Sequence, residues 1–185
     1  MLIYTKMKQK LSESIQIPEG VSCELKGLDL VCKKGSTELV LDVNIPGIST
    51  KVKDGSIFFE CVQGNKNEYK IIKSLLAHAK NQFTGLEGKY IYKLEAANVH
   101  FPMTFKVDGN KFIINNFLGE KKSRFADIVK GSTVEVKGQK ITVTSNSKTS
   151  AGQTSANLEK ATRVRNRDRR IFQDGIFIIE KAGVQ

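Results

Sequence analysis

The feature of this sequence that most constrains its fold is an internal similarity between its two halves. A single offset, the one that places Pro102 on Pro18, brings turn residues and apolar residues of the two halves into register without a gap. The matched pairs include Pro18/Pro102, Val21/Phe105, Leu30/Ile114, Gly35/Gly119, Gly47/Gly131, Val52/Val136 and Ile57/Ile141. Coincident prolines and glycines indicate turns at matching places. We therefore predict a tandem duplication, with one domain at 1–84 and a second at 85–185.

Each half opens with apolar residues at alternate positions, which is typical of half-buried strands in antiparallel hairpins. Glycine-containing turns separate these strands at 26–27 and 108–110, and again at 53–55 and 137–139. A helix then closes each half. The predicted fold class is α+β, in which each small domain consists of an antiparallel β-sheet and one main α-helix.

The first predicted helix spans 65–83. Asn65 and Glu68 have the spacing of a capping box, in which two residues satisfy each other's backbone N–H groups. One side of this helix is apolar, which indicates packing against a core. The residues of that side are Ile72, Leu75, Leu76, Ala79 and Phe83.

The second predicted helix, 150–164, differs because its inward positions are mostly small. These positions are Ala151, Ser155, Leu158, Ala161 and Thr162. Such a face permits either close packing on the sheet or close approach of a nucleic-acid backbone. We favour packing, because proteins contact phosphates mainly through cations, backbone N–H groups and helix N-termini.

Positive charge is concentrated in the second half of the chain. The net charge is +11 and the isoelectric point is near 9.6. Residues 1–84 contribute +3 to this charge and residues 85–185 contribute +8. A charge of this size favours an acidic partner, with nucleic acid first and an anionic membrane surface second.

The arginines are confined more tightly than the charge as a whole. Five of the six lie between Arg163 and Arg170, and the sixth is Arg124. Arginine presents a rigid fork that matches phosphate geometry, whereas lysine behaves as a point charge on a flexible stem. The cluster therefore indicates a grip on a polyanion. The alternative is a solvated run of charge at a helix C-terminus, where cations complement the helix dipole.

Several classes of protein fit the sequence poorly. The three cysteines, Cys23, Cys32 and Cys61, have no close-spaced pair, so we expect reduced thiols in a cytosolic compartment. The N-terminal residues lack the apolar stretch of a secretory signal. The longest apolar run is far shorter than the roughly 20 residues needed to cross a bilayer, so no membrane role is expected.

No constellation of catalytic or metal-binding residues is evident. His78 and His100 lie in different halves, and the glycines at 85–90 lack the spacing of a phosphate-binding loop. Asp168 is interpreted as a local partner of the neighbouring arginines, and Asp174 as part of a turn with the glycine that comes after it. We expect no enzyme activity, no metal and no cofactor.

Motifs of the second half resemble one known family. They are Asn116-Phe-Leu-Gly-Glu-Lys121, Gly152-Gln-Thr154, Arg165-x-Arg167-Asp168, and Arg170-Ile-Phe172-Gln-Asp174-Gly175-Ile-Phe177. Shorter matches are Pro18-Glu-Gly20, Tyr92-Lys-Leu94 and His100-Phe-Pro102. Together they are similar to the large-subunit ribosomal protein six family, called protein nine in eukaryotes, over 17–181. Departures from the family pattern are concentrated in the first half, for example at 33–36.

The resemblance implies a structural protein of the large ribosomal subunit. In that family the protein binds large-subunit rRNA near the base of the lateral stalk and the sarcin–ricin loop, with translational GTPases and other ribosomal proteins nearby. The second domain makes most of the rRNA contacts, and the internal duplication belongs to the family. The implied location is the cytoplasmic ribosome, with a nucleolar stage of assembly if the source is eukaryotic.

The predicted mechanism is a non-catalytic clamp on folded RNA, which proteins recognise largely by shape, phosphates and 2′-hydroxyls. The residues expected to contact phosphates are Lys121, Lys122, Arg124, Arg163, Arg165, Arg167, Arg169 and Arg170. Aromatic residues make up 8% of the chain and tryptophan is absent, which argues against a platform for stacking single strands. Phe172 and Phe177 alternate within an apolar strand and are interpreted as core residues.

Two other functions are compatible with parts of the pattern. The first is a protein-interaction module that docks onto translational GTPases or acidic stalk proteins and has little affinity for RNA. The second is a phosphoester enzyme that uses Asp168 or Asp174. The second lacks an accompanying base, nucleophile or metal site.

Overall fold

The computed structural model describes residues 8–99 and 101–184. The chain divides into two compact units, of which the first ends at Glu87 and the second begins at Gly88. Within the described ranges, each unit combines antiparallel sheets with one α-helix. The predicted fold class, a tandem of two small α+β domains, is confirmed.

The first unit contains six strands and helix α1 within its described residues. They are β1 (Gln9–Gln16), β2 (Ser22–Lys26), β3 (Asp29–Lys34), β4 (Thr37–Asp42), β5 (Ser49–Lys53), β6 (Ser56–Gly64) and α1 (Lys66–Glu87). The strands form two three-stranded antiparallel sheets, ordered β1-β6-β5 and β2-β3-β4. Apolar residues of both sheets and of α1 share one buried core, which includes Leu30, Phe59, Ile72 and Phe83.

Helix α1 begins with the capping box that its sequence predicts. The Asn65 backbone N–H donates to the Glu68 carboxylate at 2.8 Å, and the Asn65 side-chain oxygen accepts from the Asn67 N–H at 2.7 Å. The helix continues past Phe83, where the prediction ended it, as far as Glu87. Its extra turn buries Leu86. The apolar stripe is the core-facing side, as predicted.

The second unit repeats this arrangement and adds a strand. Its elements are β7 (Tyr90–Ala97), β8 (Thr104–Asp108), β9 (Lys111–Asn115), a 3₁₀ turn (Phe117–Gly119), β10 (Arg124–Asp127), β11 (Ser132–Lys137), β12 (Lys140–Ser145), α2 (Lys148–Ala161) and β13 (Gly175–Val184). The sheets are ordered β10-β9-β8 and β11-β12-β7-β13. A second buried core, centred on Leu94, Phe112, Ile141 and Leu158, lies within this unit.

Helix α2 packs its small face against strands of both sheets. Ser147 caps its N-terminus by accepting from the Ser150 N–H at 3.3 Å, and the helix ends at Ala161, three residues before the predicted end. The buried hydroxyl groups are satisfied, because Ser155 donates to the Ala151 carbonyl at 2.8 Å and Thr154 accepts from the Val129 N–H at 3.1 Å. The small residues therefore serve close packing, the interpretation we favoured.

The duplication is present, but the single gapless offset is wrong for its first hairpin. The hairpins β5–β6 and β11–β12 do correspond at the predicted offset, since Val52 pairs with Ile57 and Val136 with Ile141. The hairpins β2–β3 and β8–β9 correspond at an offset two positions shorter, because their turns close at Lys26/Asp29 and Asp108/Lys111. An error of two positions keeps every side chain on the same face of a strand, so an alternating pattern cannot reveal it.

The expectation of three reduced thiols is wrong for two of them. Cys23 and Cys32 are direct partners across the β2–β3 pair and form a disulfide, with their Cα atoms 4.2 Å apart. Cys61 is free and buried. A search for close-spaced cysteines misses this pair, because hairpin pairing joins residues that lie nine apart in sequence. The disulfide links two strands of the first unit.

Candidate nucleic-acid interface

The clustered arginines lie in one loop, here called the arginine loop, which comprises residues 162–174 between α2 and β13. All five of its arginines are exposed. Asn166, near its centre, has a left-handed backbone with φ of 57°. Asparagine tolerates this conformation better than most residues, which allows the chain to turn within the run of arginines. The loop therefore presents its cations outward from a reversing backbone.

Side-chain hydrogen bonds anchor both ends of the arginine loop. At its start, the Thr162 hydroxyl accepts from the Ile176 N–H at 2.8 Å. At its end, the Asp174 carboxylate accepts from the Val99 N–H at 3.1 Å. The interpretation of Asp174 as part of a turn is wrong, because Asp174 is 2% exposed and the next residue, a glycine, is the first of β13.

Arg124 joins this loop to the start of β10. Its Nε donates to the Glu120 carboxylate at 2.8 Å, and its terminal nitrogens donate to Glu120 and to the carbonyls of Ala161 and Arg163. These bonds use four of the five N–H groups that a guanidinium offers. The guanidinium carbon also lies 4.2 Å from the centre of the Phe117 ring. Arg124 is therefore committed to holding the C-terminus of α2 and the first arginine of the loop.

Glu120 brings the second charged segment beside the arginine loop. The hydrogen bond from Arg124 lowers the pKa of the Glu120 carboxyl below its ordinary value, and the charges of Arg124 and Arg167 act in the same direction. Burial opposes these effects only in part. Lys121 and Lys122 come next in the chain and are exposed. The structure thus brings segment 120–124 and the arginine loop to one place on the second unit.

The arginines of the loop differ in how many contacts their side chains form with other residues of the protein. Arg170 pairs with Asp168 at 3.0 Å, and this hydrogen bond lowers the pKa of the Asp168 carboxyl, which confirms Asp168 as a local partner. The guanidinium of Arg167 lies 4.8 Å from the centre of the Phe172 ring. The remaining loop arginines, and both lysines of segment 120–124, have side chains that form no hydrogen bond or ion pair within 8–99 and 101–184. They are Arg163, Arg165, Arg169, Lys121 and Lys122.

The two phenylalanines beside the loop are less buried than expected. Phe172 is half-buried, with Arg167 stacked over its ring. Phe177 is 41% exposed, while its neighbour Ile176 is 1% exposed and belongs to the core. The expectation that Phe177 is a core residue is wrong. Strand β13 lies at the edge of its sheet with one face covered, so alternate residues remain open, and Phe177 is on the open face.

The residues that shape this site include some that the sequence did not single out for it. Glu120 and Asp174 hold the loop, and Thr162 was predicted only as an inward helix position. The Asp174 bond spans 75 residues and Arg124 reaches carbonyls 37 and 39 residues away. Local sequence patterns cannot predict such pairings, because the two partners lie far apart in the sequence and meet only in the folded unit.

The described residues also bear on the other kinds of site that the sequence raised, namely metal, phosphate-loop and membrane sites. Among the described residues, no cluster of three or more His, Cys, Asp or Glu side chains could hold a metal ion. His78 is exposed on α1, and His100 lies outside the described residues. Of the glycines at 85–90, Gly85 lies in the last turn of α1 and Gly88 lies in the connection between α1 and β7. Neither α1 nor α2 combines the length and apolar character that a membrane crossing requires.

Comparison with known proteins identifies relatives along nearly the whole chain. The profile of the family described as ribosomal protein L6 matches residues 101–175, a range that contains all eight predicted contact residues. The large ribosomal subunit protein uL6 of Methanococcus vannielii is 41% identical over 94% of this chain and 95% of its own length. The uL6 protein of Methanocella arvoryzae is 38% identical, covering 91% of this chain and 96% of its own length. The uL6 protein of Methanosarcina mazei is 37% identical, covering 95% and 100%.

Proposed function

This chain belongs to the uL6 family of large ribosomal subunit proteins, and from that premise we propose that it binds large-subunit rRNA through the arginine loop. The main support for this proposal is that the loop is fixed at its ends while several of its arginine side chains are left exposed. The loop is anchored at both ends, while the side chains of Arg163, Arg165 and Arg169 are exposed and form no hydrogen bond or ion pair among the described residues. Exposed guanidinium groups on an anchored loop are well placed to form hydrogen bonds with phosphates.

The second repeat, residues 85–185, is the principal rRNA-binding part in this proposal. Arg163, Arg165, Arg167, Arg169 and Arg170 contact phosphates, and Lys121 and Lys122 extend the contact surface. Arg124 takes a different role from the one its sequence predicts, since its N–H groups are bonded to protein. It positions the loop and adds at most one direct phosphate contact.

Within the subunit, we place the chain near the stalk base and the sarcin–ricin loop, beside neighbouring ribosomal proteins and translational GTPases. The family membership supports this placement. The protein acts as a structural, non-catalytic constituent of cytoplasmic ribosomes, and a nucleolar stage of assembly applies only to a eukaryotic source. The alternative, a docking module for GTPases or acidic stalk proteins, would use the same cations without rRNA.

Sedimentation of the tagged protein in cell extract tests the proposal. We expect co-sedimentation with large subunits that persists through a high-salt wash and disappears when the rRNA is digested. Protein that stays at the top of the gradient would contradict the proposal. Protein that pelleted with an acidic partner after nuclease treatment would favour the docking module.

A further inference from the structure

A cleft of about 800 Å³ opens beside the arginine loop. It is lined by the end of α2, by the arginine loop, by the first residues of β13 and by residues at the end of β7. Its volume lies within the range of roughly 300–1,000 Å³ that is usual for small-ligand pockets. The cleft is therefore large enough to enclose a group of the size of one nucleotide.

Several residues that line the cleft are apolar, and one of them presents an exposed aromatic ring. Val99, which is 70% exposed, and Phe177 both line the cleft. The Phe177 ring lies over Gly175, where an added Cβ would come within 3.3 Å of the ring. The missing side chain at Gly175 thus leaves room for the ring to lie close to the backbone. An exposed ring in this position offers a face on which a planar group can stack.

The lining of the cleft also includes three cationic residues. They are Lys160, Arg163 and Arg169, and Glu159 is the exposed acidic residue of the lining. The other acidic lining residue, Asp174, is buried and accepts the Val99 N–H. By contrast, a cavity of about 440 Å³ in the first unit has one lysine and one glutamate in its lining. The cleft of the second unit therefore combines apolar lining residues, including an exposed aromatic ring, with a surplus of positive charge.

This combination matches the chemistry of an unstacked nucleotide, which has an apolar planar base and an anionic phosphate. We propose that the cleft receives one extruded nucleotide of large-subunit rRNA, with its base against Phe177 and its phosphate at Arg163 and Arg169. This inference rests on the proposed rRNA binding. It adds recognition of an unpaired base to a clamp that otherwise contacts phosphates, as single-stranded elements allow.

Binding of in vitro transcribed large-subunit rRNA to the Phe177→Ala variant tests this inference. Stacking on one aromatic ring corresponds to a decrease in affinity of about 5-fold to about 150-fold when the ring is removed. The salt dependence should stay unchanged, because every cation that faces a phosphate is retained. The matched control is Phe125→Ala, which removes an exposed ring of β10 that does not line the cleft. Ultraviolet crosslinking of the wild-type complex should place a nucleotide on the peptide that contains Phe177.

A Phe177→Ala variant with wild-type affinity, or a crosslink map without this peptide, would overturn the inference while rRNA binding by the wild type still stood. Failure of the wild type itself to bind rRNA would instead remove the proposed function. If Phe177→Ala does not fold, Val99→Glu serves in its place, because it puts a carboxylate in the cleft and leaves the Val99 backbone bond intact. We expect it to weaken rRNA binding, whereas Val62→Glu, at an exposed position of the first unit, should not.

Discussion

The first and second units of this chain share a framework and differ in the segment that comes after the helix. The sheet order β1-β6-β5 of the first unit corresponds to β7-β12-β11 of the second, and β2-β3-β4 corresponds to β8-β9-β10. In the second unit β13 pairs with the outer edge of β7, whereas within 8–87 the equivalent strand β1 pairs with β6 alone. The arginine loop is the connection that leads to this added strand.

The arginine loop therefore lies outside the elements that the two units share. The repeated elements supply two cores, and the candidate interface depends on a segment that lies outside the repeat. The helices show the same division, because α1 packs with large residues such as Ile72 and Phe83, while α2 packs with small ones. Close packing of α2 places its C-terminus near β13, where Thr162 bonds to Ile176.

The largest effects are expected from truncating one core residue in each unit, because this shows which unit must be folded for rRNA binding. Phe59 and Phe112 are both fully buried, one in each core. Replacing either by Ala should cost about 3–5 kcal/mol of the unfolding free energy of its unit. Hydrogen exchange resolved by unit, together with rRNA titration, measures both consequences. We expect Phe112→Ala to abolish rRNA binding and Phe59→Ala to preserve most of it.

An equal decrease of rRNA affinity in the two variants would contradict the claim that the second unit alone carries the rRNA-binding surface. It would mean that the first unit contacts the rRNA itself, or that the second unit depends on the first for its fold. Exchange protection distinguishes these two cases, because only the second predicts weaker protection in the second unit of Phe59→Ala.

Arg124→Lys should have the next largest effect. Lysine keeps the charge but cannot bond Glu120 and two carbonyls together, and charge-assisted hydrogen bonds of this kind are worth about 1.5–3 kcal/mol. We expect faster amide exchange in the arginine loop and roughly tenfold weaker rRNA binding. Lys121→Ala is the control, since it should leave loop exchange unchanged and lower the salt slope by about 0.7–0.9. Unchanged exchange and affinity in Arg124→Lys would refute the positioning role.

Acid pH should loosen the arginine loop by a smaller amount. The Arg124 hydrogen bond holds the pKa of Glu120 below its ordinary value in the folded protein. A depressed pKa means that the stabilisation is present above the ordinary pKa of a glutamate, about 4.3, and disappears as pH falls through the lower folded value. Loop exchange rates, corrected for intrinsic pH dependence, should therefore rise in acid. Glu120→Gln should remove this pH dependence, and a variant that retained it would exclude Glu120 as the cause.

Much of the framework could be predicted from the sequence, because strand alternation, glycine turns and caps are local signals. The capping box at Asn65 and the turns at 53–55 and 137–139 are examples. The features that could not be predicted depend on pairing over a distance. The Cys23–Cys32 disulfide needs the hairpin register, and the Asp174 bond to Val99 needs the docking of β13.

The candidate site was predictable in composition and less so in the roles of its residues. Clustering of arginine at 163–170 is visible in the sequence, but engagement of Arg124 by protein carbonyls is not. The phase of β13 was also misjudged, since an apolar run on an edge strand does not reveal which of Ile176 and Phe177 faces the core. This error arises because burial is a property of the assembled sheet.

The salt dependence of rRNA affinity tests most directly whether the added arginine loop is the clamp. The arginine variant replaces Arg165, Arg167, Arg169 and Arg170 by Ala. The matched control replaces four exposed lysines of the first unit by Ala, namely Lys26, Lys53, Lys66 and Lys70. We predict that the slope of log affinity against log salt falls by about 0.7–0.9 for each phosphate that the arginine variant no longer neutralises, with little change in the control. A folded arginine variant with an unchanged slope, or a control whose slope falls as much, would contradict this assignment.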